Sequence, residues 1–164
     1  NGWAAVSIRA VASRCSVSAG TIYNYYESKA DLLSDTIESI WHEIFFHPED
    51  EQIFHDVESC ISWIYERLEY GNRQFPGFFS LHSFGFMRDE KTSGKKRMMK
   101  TWGHILNGLC EVLGNDPKVR ADVFDQEFTE KKFADILFSL ILVSMIRQDY
   151  DPSSVLMLVK KTLY

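Results

Sequence analysis

The chain has 164 residues, 45% of them hydrophobic and 25% charged, and a formal net charge of −5. That is room for one sizeable domain or a small domain fused to a larger one, and the acidic balance excludes a protein that meets nucleic acid with its whole surface. Cys15, Cys60 and Cys110 are too few and too widely spaced for a disulfide framework or a zinc pattern. We read them as reduced core residues of a cytoplasmic protein.

Helical spacing dominates from end to end, and no strand-like alternation is sustained. The chain opens at Asn1 on a short apolar segment, so further residues are expected in front of it. Ser7 caps a short helix to Cys15, Ser16 and Val17 turn, and Ser18 caps a second helix to about Tyr25. Ser28 caps a longer helix from Lys29 to about Phe46, striped by Leu32, Leu33, Ile37, Ile40, Trp41, Ile44 and Phe45. Pro48 stops it. A further helix covers about Glu51 to Tyr70, with Gly71 as its terminator. Pro76 and Gly77 open a Phe-rich segment, and the polar stretch 88–94 reads as a loop. Helices are expected from Lys95 to Leu113, from about Gln126 to Gln148, and from Pro152 onward, with at most a turn of helix in 118–125. The longest apolar stretch, 133–146, is too short to span a bilayer, and no signal peptide is evident.

The segment from Val6 to Lys29 carries the functional signal. Ile8, Val11, Ala12, Val17, Ile22 and Tyr26 make a miniature core between two short helices, as a helix-turn-helix requires. The outward positions of the second helix, Ala19, Gly20, Thr21, Asn24 and Tyr25, are small or hydrogen-bonding and uncharged. Small residues let the backbone approach a groove edge, Asn pairs with adenine, and a Thr methyl meets a thymine methyl. Tyr and Lys at the flanks suit phosphate contacts. Up to Lys29 the charges are Arg9, Arg14 and Lys29 against Glu27, so the acidic excess lies entirely in the rest of the chain.

Val11-Ala12, Val17-Ser18, Gly20-Thr21-Ile22-Tyr23, Tyr25-Tyr26, Ser28-Lys29 and Leu32-Leu33 resemble, without a gap, the DNA-binding domain signature of TetR-type repressors. The resemblance implies an all-α protein with a helix-turn-helix domain over 1–46 (incomplete at its start, since the family's first helix lies before Gly2) and a ligand-binding and dimerisation bundle over 47–164. It implies that Ser7, Ser18, Thr21, Tyr23, Tyr25 and Lys29 hold phosphates of a double-stranded operator, and that Arg9, Ala19, Gly20 and Asn24 lie nearest base edges. One departure is Ser16, where the family usually has Gly in a left-handed turn, a conformation Ser adopts at modest cost.

The aromatic-rich middle is the second expectation. Trp41, Phe45, Trp63, Phe78, Phe79, Phe84, Met98 and Trp102 are candidate lining for a cavity that takes a small apolar or aromatic ligand, as the resemblance implies; without it, such a stripe reads as plain core. The helix through 133–146 is apolar nearly all round and needs burial on most sides. With the last helix it is expected to pair with its copy in a homodimer through Phe133, Leu137, Leu140, Ile141, Ser144, Val155, Leu158 and Val159. Neither a catalytic constellation nor metal-ligand spacing among His42, His47, His55, His82 and His104 is visible, and no cofactor is expected. Lys91, Lys95, Lys96, Arg97 and Lys100 read as a solvated loop and helix start. The leading reading is a regulator released from DNA by a small ligand. The alternative is an all-α ligand carrier or enzyme in which the hairpin is structural.

Overall fold

The computed structural model describes residues 6–45, 54–79 and 93–164, with only the backbone of 93–98, 100 and 101. Every regular element in these residues is helical: α1 Ile8–Arg14, α2 Ala19–Tyr23, α3 Lys29–Phe45, α4 Val57–Gln74, α5 Ser93–Asn115, α6 Glu130–Arg147 and α7 Ser153–Leu163. The caps expected at Ser7 and Ser18 form, and Asp56 and Thr129 cap α4 and α6 in the same way, each accepting a backbone N–H three residues on. At the start of α3, Ser28 Oγ accepts the Asp31 N–H at 3.2 Å and donates to the Asp31 carboxylate at 2.8 Å, the reciprocal logic of a capping box. Residues 118–125 form turns rather than a helix.

α3 packs on α4 and α5, α5 on α6, and α4 on α7. One core joins them, built from α3 (Ile37, Trp41, Ile44, Phe45), α4 (Val57, Ile61, Ile64, Tyr65, Leu68), α6 (Phe133, Leu137, Ile141, Met145) and α7 (Val155, Val159, Leu163). Trp41 is its aromatic hub, with ring centroids 5.6–5.7 Å from those of Phe45, Phe78 and Phe79.

Gly71 does not end its helix. α4 runs on to Gln74, stopped by Phe75 and Pro76, and Gly71 is buried inside it. Its role is close approach: a Cβ there would lie 2.6 Å from Ile44 Cδ1 and 3.1 Å from Phe79 Cζ. Beside this contact Arg67 of α4 donates to the carbonyls at the end of α3, Nε to Ile44 and Nη2 to Glu43 at 3.1 Å. The Ile44 carbonyl needs such a donor, because the residue four places on is Pro48, which has no N–H. The α4 start expected at Glu51 lies six residues later, at Val57; residues 51–53 are outside the described part.

Gly71→Ala is expected to lower stability by about 1–3 kcal/mol, because the added methyl meets the fixed Ile44 and Phe79 side chains. Urea unfolding followed by circular dichroism gives the midpoint; an unchanged midpoint would mean that α3 and α4 separate without loss.

Candidate nucleic-acid interface and interior groove

α1 and α2 are joined by Cys15–Ser18, and the turn pivots on Ser16, whose φ is 57°. A left-handed residue here lets the chain reverse within one step, and the Val17 N–H bonds back to the Ala12 carbonyl at 3.0 Å. Ile8 and Ala12 are buried beneath, while Val11 and Ile22 are half-buried. Val17 departs from its expected core place. It is 40% exposed, because the tight turn puts it outside the hairpin. Cys15 also leaves the core, exposed at the end of α1.

On α2 and the two residues after it, Gly20, Tyr23, Asn24 and Tyr25 are exposed, Tyr25 to 80%, with Ala19 and Thr21 half-buried beside them. Arg9 and Ser7 are exposed on α1. The Ser7 and Ser18 oxygens are already engaged as caps, accepting the Ala10 N–H at 3.1 Å and the Thr21 N–H at 3.0 Å. Ser18 also shares a 2.9 Å hydrogen bond with the Thr21 hydroxyl. These three therefore shape the hairpin before they touch anything else. Tyr26 anchors the hairpin to α3, its hydroxyl donating to Asp35 at 2.9 Å. That bond, with some burial and the nearby charge, raises the phenol pKa. Asp31 and Asp35 are thus both tied to side-chain hydroxyls. Lys29 is half-buried at the first position of α3.

The aromatic expectation is met in part. A groove of about 710 Å³ lies between α4 and α5, with Phe45, Cys60, Ile64 and Leu109 as buried lining and Phe54, Trp63, Ile105 and Val112 half-buried beside them. His55, His104, Glu111, Asn115 and Pro117 supply exposed lining, and Gly108 keeps the α5 side low. Phe45, Phe54 and Trp63 stand against one another, 5.9 and 5.2 Å between centroids. Only Phe45 and Trp63 of the expected lining are in it. Trp41, Phe78 and Phe79 pack into the core cluster instead, filling the space expected to be open. Trp102 stacks edge-on against Phe138 at 5.8 Å, outside the groove. Phe84 and the Met98 side chain lie outside the described residues. The α5 half of the lining carries no run of aromatics, so composition alone did not mark it. Its spacing, 104, 105, 108, 109, 112 and 115, is that of one helix face.

Burial and then the Asp56 charge push the Cys60 thiol up to about 12. Asp56, which caps α4, is held down to about 2 by the ammonium of Lys118 at 2.9 Å and by the Ser59 N–H. Among the described residues no group of three or more His, Cys, Asp or Glu side chains is placed to hold a metal ion.

The expected dimer residues divide. Phe133, Leu137, Ile141, Val155 and Val159 are buried within the protomer, and Ser144 is hydrogen-bonded to Tyr65 of α4 at 2.8 Å, so these six face inward. α6 and α7 turn these residues to the protomer's own core. Its other side carries Ile136, Val143 and Ile146, each more than two-fifths exposed, with half-buried Leu140 among them; α7 adds Met157 and Leu158. No described helix is long and apolar enough to cross a membrane.

Residues 1–36 match the family model of bacterial regulatory proteins of the tetR family. No curated protein and no solved structure matches the chain.

Ser16→Gly is expected to raise the midpoint of thermal unfolding, since the left-handed turn disfavours a Cβ by about 1 kcal/mol. A lowered midpoint would show that the Ser16 side chain contributes more than its backbone conformation opposes.

Proposed function

We propose, from the match of residues 1–36 to the family model of tetR-type bacterial regulatory proteins, that the chain is a homodimeric, ligand-released transcriptional repressor of the cytoplasm. DNA binding rests on the family match together with the exposed α2 face. Asn24 and Tyr25 stand open to a major groove, and Ala19 and Gly20 offer no bulk at the helix start. Arg9, Tyr23 and Lys29 are assigned to the flanking backbone. Ser7, Ser18 and Thr21 are assigned to holding the hairpin in shape and to lesser phosphate contacts.

The observation that supports a dimer is the second apolar face of α6 with that of α7. Ile136, Val143 and Ile146 exposed on α6, with half-buried Leu140 among them, and Met157 and Leu158 exposed on α7 are more than scattered exposure explains. A second copy related by a two-fold axis covers them with the same face. Two heads then address half-sites about one turn of DNA apart. We assign 1–46 to the DNA-binding unit and 47–164 to the ligand-binding and dimerisation unit, with α3 connecting them. The groove supports a small, largely apolar ligand: its volume is that of a drug-sized site, and its buried lining is aromatic and aliphatic. Phe45 ends α3 in the groove wall, so the helix that carries the head also meets the ligand.

A gel shift with the upstream intergenic DNA tests the first part. Tyr25→Ala and Lys29→Ala are each expected to weaken the complex about tenfold, and Lys29→Ala to lower the slope of log affinity against log salt by about 1. Equal binding by both variants would leave the hairpin as a structural element. Val143→Asp, on an exposed position, is expected to leave helicity intact while weakening self-association by about 100-fold or more in sedimentation equilibrium. An unchanged mass would place the interface elsewhere.

A further inference from the structure

The segment that follows α5 makes contacts on two sides. Asn115 and Pro117 line the groove. Asp116 between them does not, and it is buried, 6% exposed. Its carboxylate accepts three hydrogen bonds: the Val57 N–H that opens α4 at 2.9 Å, the Lys118 N–H at 2.9 Å, and the Tyr164 hydroxyl just past α7. Two further bonds fasten α7 to the same segment. The Arg120 N–H donates to the Leu163 carbonyl at 2.9 Å, and its guanidinium to the Thr162 carbonyl at 3.1 Å. One short stretch therefore forms part of the groove, holds the start of a groove-lining helix and grips the last turn of α7.

We propose that Asp116 is a positioning residue through which occupancy of the groove is transmitted to α7, the helix that carries Met157 and Leu158 on the proposed dimer face. This rests on the reading of the groove as a ligand site. A ligand seated against Asn115 and Pro117 shifts the residue between them. A buried carboxylate does not give up a donor without replacement, so the Tyr164 hydroxyl, and α7 with it, follows the shift. The coupling is reciprocal: pairing of α7 with a second copy changes the affinity of the groove.

The test uses the full chain and a neutral apolar fluorophore, 1-N-phenylnaphthylamine, with hydrogen exchange read by mass spectrometry. In the wild type the probe is expected to slow exchange in 104–117 and to change it by about threefold or more in 153–164. Tyr164→Phe removes one hydroxyl outside the groove. It is expected to keep probe affinity within about twofold and the response of 104–117, and to lose the response of 153–164. Arg120→Gln, which keeps the buried carboxylate satisfied, is expected to reduce that response and decides the matter if Tyr164→Phe fails to fold. A full α7 response in the variants, or none in the wild type while 104–117 responds, overturns the coupling. No protection of 104–117 in the wild type overturns the groove as a ligand site, and the coupling with it; gel shifts on the same samples report the DNA-binding reading separately.

Discussion

α3 and α4 meet side chain against backbone at Ile44 and Gly71, and the placement of nearly everything else follows from that distance. With no Cβ at Gly71, Ile44 and Phe79 enter the space a side chain would fill. Arg67 then reaches across to hold the last carbonyls of α3. Beside this approach Trp41 sits at the centre of the aromatic core and Phe45 at the edge of the groove. At its other end α3 begins with a capping box at Ser28 and carries Asp35, to which the hairpin is tied by Tyr26. One 17-residue helix thus has its first turns in the DNA-binding head and its last turn in the wall of an apolar groove.

The second organising feature is the two-sided character of α6. Phe133, Ala134, Leu137, Ile141 and Met145 recur at helical spacing and fill the core, and Ile136, Leu140, Val143 and Ile146 recur at the same spacing on the reverse. The inward side is further specified by the Tyr65–Ser144 hydrogen bond, which sets the rotation of α6 against α4. A hydroxyl pair in an apolar setting penalises any rotation that would leave either group unsatisfied. Rotation of α6 is thereby fixed by a polar contact, and that choice leaves the second apolar side facing outward.

Much of this was legible in the residues. The capping serines, the helical periodicity and the uncharged face from Ala19 to Tyr25 are local signals, and local signals survive folding. The left-handed turn at Ser16 was implied by the resemblance, in which glycine usually holds that position. What was not legible depends on which faces of helices meet. An all-round apolar helix gives no indication of which half is internal, so Phe133 and Leu137 were assigned to an interface when they are core. Gly71 reads as a stop signal because glycine more often ends helices than serves as a contact point within them. The groove was misplaced for a related reason: bulky aromatics signal that space is filled as readily as that it is lined, and Trp41, Phe78 and Phe79 fill it.

Cys60 lines the groove, yet it is 4% exposed and burial pushes its thiol up to about 12. Electrophiles are captured by thiolates, and at physiological pH this sulfur is essentially all thiol. The groove therefore presents Cys60 as apolar wall and not as a nucleophile.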